Sequence, residues 1–118
     1  MIKVKLNIVS QGYELGGENV ELELKKGKYT NGRLAIWLEE PKTGEPWCKL
    51  TVNMPEDHLD DGEFFVKTWS ENADTTTALM CQTDLFSNTG RIVPAGYYAN
   101  ACVWRFQDPE TLNKMRGY

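Results

Sequence analysis

Apolar and polar residues alternate with a period of two through much of the first half of the chain. In KVKLNIV (Lys3 to Val9), Val4, Leu6 and Ile8 fall on one face and Lys3, Lys5 and Asn7 on the other, the pattern of a strand buried on one side. NVELELK (Asn19 to Lys25) repeats it with Val20, Leu22 and Leu24, and QGYELGGE between them, with Gly12, Gly16 and Gly17, reads as a hairpin connection. RLAIWLE (Arg33 to Glu39) follows YTNGR, whose Asn31-Gly32 pair suits the positive backbone angles of a tight turn. After PKTGEP, WCKLTVNM (Trp47 to Met54) alternates again. The simplest reading is four strands in meander order.

EFFVKTW (Glu63 to Trp69) predicts a fifth strand. The period then changes: Ala73, Thr77, Met80, Cys81 and Leu85 recur at helical intervals in SENADTTTALMCQTDLF, and Ser70 or Asn72 can cap the start. This predicts one main helix near residues 71–86, which its three threonines favour poorly without tertiary packing, and SNTGR ends it with Gly90 as the stop. YYANACVWRF (Tyr97 to Phe106) predicts the final strand, and DPETLNKM a short C-terminal helix with Asp108 as cap and Pro109 in its first position. The expected fold is α+β: an antiparallel meander sheet of five to seven strands, one main helix packed on a face, and the short C-terminal helix. Leu22, Ile36, Leu50, Val52, Val66 and Val103 are its expected core.

With 118 residues, 13 aromatics and 41% hydrophobic composition, the chain has the makings of one ordered domain spanning 1–118. No apolar run is long enough to span a bilayer and MIKVKLNIVS lacks a signal-peptide core, so the expectation is a cytoplasmic protein with no membrane partner. Cys48, Cys81 and Cys102 include no C-x-x-C pair and sit among apolar neighbours; each is expected to be a small reduced core residue rather than a disulfide, a metal ligand or a nucleophile. Trp37, Trp47, Trp69 and Trp104 lie on predicted strands and are expected in the core rather than on a nucleic-acid stacking platform. ELGGEN lacks the GKS or GKT of a phosphate loop, and KKGK (Lys25 to Lys28) reads as a solubilising strand end.

Charge changes the picture. Residues 1–35, 36–90 and 91–118 carry +2, −8 and +2. Within the acidic segment, NMPEDHLDDGEFF holds Glu56, Asp57, Asp60, Asp61 and Glu63 together with His58, the one histidine of the chain. The run lacks the spacing of a calcium loop, and a transition-metal triad would require a second histidine, so no metal and no cofactor is expected. Asp60 and Asp61 are neighbours in a loop with no nucleophile at hand, which argues against an acid pair and against an enzyme. Two readings stay open for PEDHLDDG: a solvated turn with Leu59 tucked under, or an acidic binding surface. An acidic surface excludes nucleic-acid phosphates as its direct partner and suits a basic protein groove.

Taken in order, KGKYTNGRLAIWL, GEPWCKLTVNMPE, GEFFVKTWSENA and NTGRIVPAGYYANACVWRF resemble a family of small uncharacterised proteins carried by conjugative elements, plasmids and phages, over roughly residues 27–106. TWSENADTTTAL departs from that pattern in its threonines. The resemblance implies a cytosolic accessory protein of a mobile element and carries over no catalytic residues. Together with the acidic run it leads to the expectation of a non-enzymatic inhibitor. Its Glu56, Asp57, Asp60, Asp61 and Glu63 would dock on a basic groove of a host defence or nucleic-acid enzyme, as anti-CRISPR and antirestriction proteins do. The alternative is an accessory or structural subunit of the element with no inhibitory role.

Overall fold

The computed structural model describes residues 2–8, 18–96 and 99–116. Val9, the glycine-rich connection at 11–17 and the aromatic pair at 97–98 lie outside them. The chain runs through strands β1 (Ile2–Ile8), β2 (Glu18–Lys28), β3 (Leu34–Glu39), β4 (Pro46–Lys49) and β5 (Glu63–Val66), and a 3-10 turn at Ser70–Asn72. Helix α1 (Ala73–Gln82), strands β6 (Phe86–Pro94) and β7 (Asn100–Phe106) and helix α2 (Pro109–Arg116) follow. The fold is α+β, with the antiparallel strands divided between a four-stranded meander, β1-β2-β3-β4, and a three-stranded sheet, β5-β7-β6.

The period-two pattern does in β1 and β2 what it predicts. Val4, Leu6, Ile8, Leu22 and Leu24 are buried against α1 and the second sheet, while on the outer face Lys3 stands opposite Glu23 and Lys5 opposite Glu21, complementary cross-strand pairs. At the second sheet, Phe64, Phe86, Phe106 and Trp104 interlock with ring centroids 5.1–5.6 Å apart, contributing packing beyond the area they bury. Leu22, Ile36, Leu50, Val66 and Val103 are buried as expected, whereas Val52 is half-buried.

The predicted strand Trp47 to Met54 is two things. Its first part is β4; beyond it the Leu50 and Thr51 N–H groups both donate to the Ile36 carbonyl, at 3.0 and 3.2 Å, while the Val52 N–H donates to Phe65 and Leu50 accepts from Lys67. Thr51 also bridges Val66. The segment Leu50 to Val52 therefore turns out of the first sheet and into the second, joining them.

The helix is shorter than its pattern suggests. It stops at Thr83, which is extended at φ −130° and ψ 161°, and Phe86 to Pro94 form a strand because Phe86 and Val93 bury into the sheet. Gly90 does not end the helix. It takes φ 86° inside β6, where the pairing with β7 shifts register between Asn88 and Ile92, a bulge that its missing Cβ permits. Neither Ser70 nor Asn72 caps α1 through its side chain. Asn72 is instead buried and donates to the carbonyls of Lys49 at 2.6 Å and Lys67 at 3.1 Å, tying the start of the helix to the ends of β4 and β5. Thr76 and Thr77 donate back to carbonyls of the preceding turn, and Thr75 accepts from the Trp47 indole at 3.0 Å. The Trp47 bond and the burial of Thr75 and Thr76 hold helical a segment whose threonines favour it poorly. Asp108 caps α2 by accepting the Glu110 N–H at 3.1 Å.

Of the cysteines, Cys48 is buried, Cys102 half-buried and Cys81 exposed on α1, so Cys81 is not a core residue. Of the tryptophans only Trp104 is buried; Trp37, Trp47 and Trp69 are half-buried. Trp37 lies on the outer face of β3, Trp47 on the edge strand β4 and Cys81 on the outer side of α1, while Trp69 lies past the end of β5 at Val66, beyond the predicted strand, and packs at the border of the second core.

Candidate functional site

The acidic run forms the loop from Asn53 to Gly62 that leaves the joint between the sheets and returns as β5. Its underside is apolar: Met54 and Leu59 pack on Phe65, Val93, Ala101 and Val103, covering the face of the second sheet turned away from the main core. The loop thus covers a small second core with Met54 and Leu59, while Glu56, Asp60 and Asp61 are exposed.

Two tight turns shape it. The Asp57 N–H donates to Met54 and the Glu63 N–H to Asp60, each at 3.1 Å. Gly62 closes the second turn at φ 84°, with Leu112 of α2 so near that a Cβ there would stand 3.0 Å from its Cδ2.

Two arginines distant in sequence fix the loop from beneath. Arg33 donates from Nη1 to the Met54 carbonyl at 2.7 Å and from Nη2 to the Asp57 carbonyl at 2.6 Å, its guanidinium 5.9 Å from the Phe65 ring centroid. Arg91, at the β6 bulge, donates to the His58 carbonyl. The Asn31 amide adds a bond to the Asn53 side chain at 3.1 Å. A planar fork gripping two carbonyls fixes position as well as charge.

The five acidic side chains are not equivalent. Glu56, Asp60 and Asp61 are exposed, Asp57 and Glu63 half-buried. Asp60 meets His58 at 2.8 Å, with both side chains more than three-quarters exposed, a pair that solvent leaves weak. Glu63 turns back to accept the Asp60 N–H at 2.9 Å, so it braces the turn rather than extending the acidic surface. Among the described residues no three His, Cys, Asp or Glu side chains are grouped to hold a metal ion, and no helix is long and apolar enough to cross a membrane.

Away from the loop, Cys48 and Glu71 depart from their ordinary proton affinities. Burial pushes the Cys48 thiol up to about 11, which keeps it protonated and unreactive. A hydrogen bond from Lys67 holds the Glu71 carboxyl below its ordinary value.

Sequence reasoning finds the acidic residues but not Arg33 and Arg91, which lie 21 to 33 positions from the carbonyls they hold. No local pattern links them. The sole signal is a cation at the start of β3 and another beside Gly90, each with no acidic neighbour in its own turn. No protein-family model, curated protein or solved structure matches the chain.

Proposed function

We propose that this protein is a non-enzymatic docking module whose acidic loop engages a basic groove on a protein partner. The observation that carries this reading is the use of Arg33 and Arg91. Both guanidinium groups donate to backbone carbonyls of the loop, so the cations immobilise the acidic segment by its main chain while Glu56, Asp60 and Asp61 stay exposed. Holding like charges close together modestly opposes the compact state, and a cationic partner relieves that repulsion. A loop already fixed in place loses less freedom on binding than a mobile one.

Asp57 contributes from the same turn, and Glu63 supports it as a brace. The resemblance to proteins of mobile elements directs the choice of partner toward a host defence or nucleic-acid enzyme, whose phosphate-binding groove has the required charge. The protein would then act as an inhibitor by occupying that groove.

The test is affinity capture from nuclease-treated host lysate, with the parent and an Asp57→Lys, Asp60→Lys, Asp61→Lys triple variant as baits. The expected result is a nucleic-acid enzyme retained by the parent, released as salt rises because exposed charges are screened within about 8–10 Å at physiological ionic strength, and lost from the variant. Identical captures by both baits would reduce the acidic run to a solvated turn. Capture of the element's own proteins, indifferent to the charge reversal, would mark an accessory subunit instead.

A further inference from the structure

The face of the first sheet turned away from the core carries a shallow groove of about 670 Å³ across β2, β3 and β4, within the size range of small-molecule sites. Its floor is Trp37. The indole approaches β2 at Gly27, where a Cβ would stand 3.2 Å from its Cζ3 and 3.4 Å from its Cη2, so glycine leaves room for the ring close to the strand. The cross-strand neighbours of Trp37 are Lys25 on one side and Lys49 on the other. Tyr29 stands at the turn end, with the Lys49 ammonium 5.0 Å from its ring centroid, and Pro46 lines the groove beside the bulge of β4.

Three features define what fits. The charged residues lining the groove, Lys28 and Lys49, are both cationic in a chain of net charge −4. Both nearby carboxylates are already engaged: Glu39, at the edge of the floor, accepts the Trp37 indole N–H at 2.8 Å, and Glu23 sits 3.2 Å from the Lys25 ammonium. Finally, the aromatic donors are already engaged, since the Tyr29 hydroxyl is held by the Thr51 carbonyl and hydroxyl at 3.1 and 3.0 Å. A proline-rich peptide needs such donors for its carbonyls. This groove instead offers π faces and the Lys49 ammonium, which suit an aromatic ring carrying an anion.

We propose that the groove binds a nucleoside monophosphate, with its base stacked on Trp37 and its phosphate against Lys49. A single nucleotide matches a groove of this volume. The site is separate from the acidic loop and does not rest on the docking function.

The experiment is a fluorescence and calorimetric titration with adenosine 5′-monophosphate, with adenosine, inorganic phosphate, a short oligodeoxyadenylate and a proline-rich peptide as the other probes. The nucleotide should quench tryptophan emission saturably, adenosine should bind more weakly and phosphate should give no saturable response. Trp37→Leu should weaken nucleotide binding by about tenfold or more, the scale of a lost base stack. Lys49→Glu should weaken it and remove its salt dependence. If Trp37→Leu unfolds, Lys49→Glu decides, because Lys49 is exposed and outside the core. The triple reversal at Asp57, Asp60 and Asp61 should leave binding intact. No saturable response in the millimolar range, equal binding by parent and Lys49→Glu, much tighter binding of the oligonucleotide, or binding of the peptide alone would each overturn the assignment.

Discussion

At the scale of the residue, Cys48 and Cys81 show how far a neighbourhood in sequence differs from one in space. Both are flanked by apolar residues, yet Cys48 faces the core beneath Leu38 while Cys81 lies on the outer side of α1. Burial raises the Cys48 thiol from 9.0 to about 11, with the Glu71 charge adding to the shift and Lys67 opposing it. The folded state therefore keeps a proton that the unfolded state gives up, and by linkage stability falls as pH rises between about 9 and 11. Below that window both states are protonated and the effect vanishes. Cys48→Ala should consequently lose less stability than the parent over the same interval, measured by thermal melts at a series of pH values; parallel losses would mean that the thiol does not titrate as described. Alkylation of the native protein should reach Cys81 first and Cys48 only on unfolding.

Among the elements, the acidic loop depends on a grip that charge alone does not supply. Arg33 holds two carbonyls with one rigid fork, at 2.7 and 2.6 Å, and a lysine keeps the charge but offers a single mobile ammonium. Arg33→Lys should therefore loosen the loop without altering net charge, at a cost of about 1–2 kcal/mol for the carbonyl left unpaired. Hydrogen exchange at the Asp57 and Glu63 amides should speed up while that of β7 stays unchanged; no change in the loop would show the arginine to be dispensable. How well each element can be read from sequence follows the same logic of local against distant causes. β1 and β2 are legible because one buried face imposes strict alternation on Val4, Leu6, Ile8, Leu22 and Leu24. β6 is not, since Ser87 through Arg91 are polar or glycine: Ser87 and Asn88 take their strand geometry from pairing with Arg105 and Trp104, and Thr89 to Arg91 form the bulge before Ile92 resumes the ladder. The break after Lys49 is hidden because Leu50 and Val52 keep alternating while the chain changes sheets. Within the loop, the carboxylates are legible from composition, but the inward turn of Glu63 and the arginines beneath the main chain are products of tertiary contact.

On the scale of the whole molecule, the two sheets are one mechanical unit through a short joint. Core residues from both, Leu22, Ile36 and Leu38 from one and Phe64, Val66 and Trp104 from the other, share a single buried cluster. At the joint the Thr51 hydroxyl accepts the Ile36 N–H at 3.0 Å and meets the Tyr29 hydroxyl at 3.0 Å, while its main chain pairs with Val66. Valine has the same shape but no oxygen, so Thr51→Val leaves a buried donor on β3 and loosens Tyr29, costing about 1–3 kcal/mol and several degrees of melting temperature. Because the shared core couples the sheets, the loss should appear as one earlier transition rather than two, with far-ultraviolet circular dichroism and tryptophan fluorescence melting together in parent and variant. Divergence of the two probes in the variant would show that the sheets are held together by the Thr51 hydrogen bonds more than by their common core. The same substitution reaches the outer groove, because Thr51 positions Tyr29 at its end. Nucleotide binding should therefore weaken in Thr51→Val even at temperatures where the fold is intact, as the Tyr29 wall loses its anchor. The arginine-held loop, fixed independently by Arg33 and Arg91, should keep its protection from hydrogen exchange.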